Sequence, residues 1–110
     1  MTRITSGTEP LYSSLGGDPD LGAIVETFVG EMPNRAAAMR DRLNTSDWEG
    51  LCRMAHQLKG AAGSYGFDPI SSSAAELDKA IRENEPEEQI RNAVDVLVKI
   101  CNRARAGVPT

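Results

Sequence analysis

Apolar side chains in this chain recur three and four residues apart in four successive runs, with Pro, Gly, Asn and Asp between them. That period belongs to one face of an α-helix, and no segment alternates with the period of two that a half-buried strand requires. The first run is Leu21, Ile24, Val25, Phe28, Val29 and Met32, continued by Ala36, Met39 and Leu43. Asp18 reads as its N-cap and Pro19 as its first helical residue. Pro33 is expected to kink this helix or split it, because its ring meets the carbonyl four residues back. The second run starts at a Ser46-x-x-Glu49 capping box and carries Trp48, Leu51, Cys52, Ala55, Leu58 and Ala62, ending near Gly63–Gly66. The third follows the N-cap pair Asp68-Pro69 with Ile70, Ala74, Leu77 and Ile81. The fourth holds Ile90, Ala93, Val94, Leu97, Ile100, Cys101 and Ala104, between Asn84-Glu85-Pro86 and Gly107. Lys99, Arg103 and Arg105 in its last turns would suit the negative end of the helix dipole.

Four amphipathic helices joined by short breaks imply an all-α, antiparallel, up-down four-helix bundle, with either an additional short N-terminal helix or a kinked first helix. Residues 1–17 are polar and rich in Gly and Ser, and read as a tail partly docked through Leu11, Tyr12 and Leu15. Residues 18–107 are the bundle, and a chain of 110 residues can bury one core without a disulfide or metal staple. The net charge of −4 argues against nucleic acid or an anionic membrane as partner, since both repel an acidic surface. No apolar run is long enough to span a bilayer, and the N-terminus lacks the apolar centre of a signal peptide. Cys52 and Cys101 are therefore expected to be reduced, apolar-packing residues of a cytoplasmic protein. One histidine and two distant cysteines do not make a zinc site, so no bound metal or other cofactor is expected.

The stretch Ala55-His56-Gln57-Leu58-Lys59-Gly60-Ala61-Ala62-Gly63-Ser64-Tyr65-Gly66-Phe67 departs from what helix propensity favours. It sets Gly60 and Gly63 in or at the end of a helix, where each costs about 1 kcal/mol relative to Ala at an interior position. The only histidine stands just before them. On a helical wheel His56 falls about 120° from the centre of the apolar stripe, at the border with solvent. Glu49, Arg53, Gln57, Gly60, Gly63 and Ser64 share that flank, and Lys59 lies at i+3. The arrangement is an exposed imidazole, an ammonium beside it and bare backbone one turn on. An imidazole is a nucleophile near neutral pH. An adjacent ammonium stabilises an anion attached to it, and cleared backbone admits a bulky partner. Phosphoryl transfer fits all three, because its catalysis is mostly positioning and charge neutralisation.

His56-Gln57-Leu58-Lys59-Gly60-x-x-Gly63-x-x-Gly66 resembles the central motif of histidine-containing phosphotransfer (HPt) domains, and the likeness runs from about Asp18 to Arg105. The ending Gly63-Ser64-Tyr65-Gly66-Phe67 also resembles the phosphotransfer domain of chemotaxis kinases. The resemblance implies a four-helix bundle that passes phosphoryl groups to and from aspartates of response-regulator receiver domains, or takes them from a hybrid or sensor histidine kinase. It implies His56 as phosphoacceptor through Nε2, Lys59 as the contact to phosphoryl oxygens, and Gly60 as the residue that keeps the approach open. Gly63 and Gly66 would allow close packing and the turn. Many members hydrogen-bond the imidazole from a Glu or Gln 22 positions after the histidine; here that position is Asp78, a shorter carboxylate. Asp78 reads equally as an i+4 partner of Arg82 on its own helix. The docking flank would comprise Arg53, Gln57, Gly63, Ser64, Phe67 and Arg82, with apolar contacts from Ala61 and the first helix.

The Mg²⁺ such a transfer needs is expected on the receiver. The sequence has no Gly-rich nucleotide loop, which reads as a phosphocarrier without kinase activity of its own, and the resemblance implies a monomer. Two alternatives compete. The phosphoacceptor helix pair of a sensor kinase would carry an acidic residue directly after the histidine and Pro five positions on, where this chain has Gln57 and Ala61. A purely binding helical module would dock receivers without transfer. Cys52, one turn before His56, fits core packing better than a Cys–His pair, because it lies on the apolar stripe.

Overall fold

The structure is a computed structural model that describes residues 9–107, apart from residues 16 and 19. Four helices dominate it: α1 (Gly22–Asn44), α2 (Trp48–Ser64), α3 (Asp68–Arg82) and α4 (Glu87–Cys101). Two-residue strands β1 (Leu11–Tyr12) and β2 (Ala104–Arg105) flank them and pair in parallel, Leu11 with Ala104 and Tyr12 with Arg105. α2 lies mainly against α3, α3 against α4, and α1 closes on α2 and α4. The apolar stripes meet in one core built from Val25, Phe28, Met32 and Met39 of α1, Leu51, Ala55, Leu58 and Ala62 of α2, Ile70, Ala74 and Leu77 of α3, and Val94 and Leu97 of α4. Among the described residues no helix is long and apolar enough to cross a membrane.

The helix boundaries differ from the expected ones where backbone geometry overrides the cap signals. α1 begins at Gly22 without a side-chain cap. Asp18 instead accepts the Asp20 amide on its side chain at 2.8 Å, and its carbonyl accepts the Leu21 and Gly22 amides. Pro19 lies outside the described residues. α1 then runs through Pro33 as one helix of 23 residues, so it is not split. Phe28, Met32, Ala36 and Met39 are all buried on either side of the proline, and that burial outweighs the roughly 3 kcal/mol that an interior proline costs. Among the described residues no short helix precedes α1; the segment there is β1.

At α2 the cap is Asp47, whose carboxylate accepts the Gly50 amide at 3.0 Å, and the Ser46–Glu49 box does not form. Ser46 has φ of 57°, which turns its side chain away from the capping geometry. α3 starts one residue before Pro69, with Asp68 inside its first turn. α4 stops at Cys101, short of Gly107, because the chain leaves the helix to form β2. Arg103 accordingly serves the terminus: its Nε donates to the Glu9 carbonyl at 2.7 Å, and its own carbonyl accepts the Leu11 amide. On the other side of the segment, the Ser13 hydroxyl donates to the Tyr65 carbonyl and the Ser14 amide to the Gly66 carbonyl at 2.9 Å. Residues 9–14 thus tie the end of α2 to the end of α4.

Candidate functional site

The site is assembled on two helices. α2 carries Trp48, Glu49, Cys52, Arg53, His56 and Lys59 into one open cleft of about 580 Å³, and α3 supplies Asp78, Ile81 and Arg82 opposite. The i, i+3, i+4 and i+7 spacing of the α2 residues puts them on adjoining rows of one helix. The α3 residues at i, i+3 and i+4 do the same. The cleft is therefore the seam where α2 packs on α3.

His56 is the exposed member, its side chain 69% accessible, whereas the Asp78 side chain is 3% accessible. His56 Nδ1 lies 3.6 Å from Asp78 Oδ2, an ion-pair separation slightly beyond hydrogen-bond length. The other carboxylate oxygen has two partners: the Cys52 thiol donates to Oδ1 at 3.1 Å, and Arg82 Nε lies 3.3 Å from it. Asp78 thus lies beside both the imidazole and Arg82. Burial alone would raise its pKa. The Cys52 hydrogen bond, the Arg82 charge and the imidazole outweigh burial and hold the carboxyl below its ordinary value. Burial pushes the Cys52 thiol up, and the neighbouring Asp78 carboxylate adds to that despite Arg82. The thiol is thereby kept protonated, as a donor.

The cleft has a cationic rim on an acidic protein. Arg53, Lys59 and Arg82 all line it. Arg53 pairs with Glu49 at 3.3 Å, while among the described residues no carboxylate lies within ion-pair distance of Lys59. The Lys59 carbonyl accepts the Ser71 hydroxyl at 2.8 Å, which pins this turn of α2 to α3.

The glycines separate by role. A Cβ at Gly60 would meet nothing within 4 Å, so no packing inside the molecule requires glycine there. A Cβ at Gly63 would approach the Ser71 hydroxyl at 3.3 Å, at the close contact of α2 with α3. Gly66 has φ of 80°, and a Cβ there would meet Ser13 Oγ at 2.6 Å and Ser14 Oγ at 2.7 Å. It is needed both for the turn and for the approach of the N-terminal segment.

Gln57, Gly63 and Ser64 are exposed on the His56 side of α2, and Arg53 and Arg82 are exposed beside the cleft. Phe67 is not on that surface. It is fully buried, with its ring stacked on Phe28 at 5.4 Å between centroids. The left-handed turn at Gly66 swings the chain inward, so Phe67 belongs to the core. Cys52 packs against the core as expected, half-buried, and its thiol is in addition hydrogen-bonded to the buried carboxylate. Its place one turn before His56 was the available signal. Nothing local to α2 showed that Asp78 would sit against it.

Among protein families, the model of the Hpt domain matches residues 23–107, most of the chain. No curated protein and no solved structure matches.

Proposed function

The chain belongs to the Hpt domain family, phosphotransfer carriers that work with histidine kinases and receiver domains, and on that premise we propose that His56 is the residue that carries the phosphoryl group. The observation that supports this most is the pairing of an exposed imidazole with a buried carboxylate on its Nδ1 side. By its charge, a carboxylate there favours the proton on Nδ1 and leaves the lone pair on Nε2, the nitrogen directed at a partner.

In the forward step, Nε2 attacks the phosphorus of a receiver's aspartyl phosphate. The N–P bond forms, the P–O bond to the aspartyl carboxylate breaks, and that carboxylate leaves as the anion. The imidazole ring gains positive charge, which Asp78 stabilises across the 3.6 Å gap. Lys59 neutralises the phosphoryl oxygens, with Arg53 and Arg82 adding positive potential at the rim. Transfer to a second receiver reverses these bonds. Gly60 leaves room for the receiver above His56, and Gln57, Gly63 and Ser64 extend the contact surface. In this reading the helices run up and down in antiparallel order through their short loops, the carrier acts as a cytoplasmic monomer, and Mg²⁺ sits on the receiver.

The test is intact-mass analysis after mixing the protein with Mg²⁺ and phosphorylated receiver domains from the same source. The expected result is one added phosphoryl group that is lost in acid, kept in base and absent from His56→Gln. A His56→Gln protein that still gains the group would overturn the assignment. Docking by the wild type without any transfer from the full receiver set would leave a binding module only.

A further inference from the structure

Asp78 has two oxygens with different tasks, and the difference is held by a residue outside the phosphotransfer motif. Oδ2 faces His56 Nδ1 at 3.6 Å, and Oδ1 is taken by Cys52 Sγ at 3.1 Å and by Arg82 Nε at 3.3 Å. An aspartate carboxylate turns easily about its last torsion, whose energy profile is broad. Fixing one oxygen fixes where the other points. Arg82 is a weak fixture on its own, since its side chain is 63% exposed and sits on the same helix one turn away. Cys52 is the firmer one: it comes from α2, the helix that carries His56, four residues before it.

We propose that Cys52 is a positioning residue for phosphotransfer, its thiol anchoring Oδ1 of Asp78 so that Oδ2 is presented to His56 Nδ1. The inference rests on His56 being the phosphoacceptor. A thiol suits the task because it is a neutral donor. It satisfies a lone pair of the buried carboxylate without cancelling the charge that the imidazole needs opposite it. The burial and the neighbouring carboxylate that raise the thiol's pKa keep its proton in place. A cysteine there only to fill space would not need its hydrogen directed at Oδ1. An alanine would then serve with a small loss of stability.

The experiment compares wild type, Cys52→Ala and Cys52→Ser in two measurements. One is the rate of phosphoryl transfer from a phosphorylated receiver. The other is the tautomer of the His56 imidazole, read from its ring-nitrogen NMR shifts in the absence of any receiver. Cys52→Ala is expected to lower the transfer rate about fivefold. It should also weaken the preference of the His56 imidazole for the Nδ1–H tautomer. Cys52→Ser keeps a donor and is expected to restore both readouts toward wild type. An unchanged imidazole tautomer in Cys52→Ala overturns the proposal. So does an equal loss in both variants that follows their loss of thermal stability, which would mark a packing role. If wild type accepts no phosphoryl group from any receiver, the reading of His56 fails. The tautomer measurement still decides whether Cys52 sets the His56–Asp78 contact.

Discussion

Gly60→Ala should make this protein more stable and less active, and both halves of that statement come from the structure. Gly60 lies within α2, four residues before its end, and its backbone is helical. An added Cβ has open space, with no atom within 4 Å, so there is no steric cost inside the molecule. What remains is helix propensity, which favours Ala over Gly by about 1 kcal/mol at an interior position. For a domain of this size that corresponds to a rise in Tm of about 4 °C. The new methyl also stands one turn beyond His56, on the face that the proposed function assigns to the receiver. Displacing the reacting groups by a fraction of an ångström is expected to slow transfer about tenfold. Thermal unfolding followed by circular dichroism gives the first number, and transfer from a phosphorylated receiver gives the second. A variant that is stabilised but transfers at the wild-type rate would refute the argument that the glycine serves the partner's approach. A destabilised variant would refute the open-space argument.

Three further outcomes are expected. Asp78 has a carboxyl pKa held below its ordinary value, so its charge contributes stability that is complete above the unfolded value of about 3.9 and is lost as pH falls through the lower folded value. The stability gap between wild type and Asp78→Asn, measured by denaturant unfolding, should therefore narrow below about pH 4; a gap independent of pH would contradict the pairing with Cys52, Arg82 and His56. Gly66→Ala places a side chain at φ of 80° and against Ser13 and Ser14, and should cost about 2 kcal/mol in the same assay, whereas a neutral result would mean that residues 9–14 do not hold the end of α2. Phe67→Ala empties a fully buried ring site stacked on Phe28, and should lose about 3–5 kcal/mol of stability; a loss under about 1 kcal/mol would return Phe67 to the surface.

How much of this was legible in the sequence depends on how many helices a feature needs. His56, Lys59 and Gly60 lie on one helix at fixed spacing, so the flank of His56 and Gly60, with Lys59 beside it, could be read from the helical period alone, and the structure leaves His56 exposed there. The four apolar stripes were legible for the same reason, and the core draws on all of them. The N-caps of α2 and α3 each moved by one residue because the backbone turn before a helix, such as Ser46 at φ of 57°, decides which side chain can reach the free amides. The pairing of Leu11 with Ala104 had no signal, since two residues are too few to show a period. Phe67 was misread because adjacency to the motif in sequence says nothing about direction after a left-handed glycine.

The Cys52–Asp78 contact joins residues 26 apart on two helices. It depends on how α2 and α3 are rotated against each other, and a one-helix pattern does not contain that rotation. The site is thereby divided by physics as well as by legibility. Its exposed half, His56 with Lys59 and Gly60, is carried by one helix and touches little else, so substitutions there can change transfer while the fold stands. Its buried half, Asp78 with Cys52 and Arg82, is part of the seam that holds α2 on α3, with the Ser71 hydroxyl on the Lys59 carbonyl beside it. Anything that shifts this seam moves the carboxylate relative to the imidazole and alters stability and reactivity together. A set of variants drawn from both halves should therefore show transfer rate correlated with stability for the buried residues and independent of it for the exposed ones.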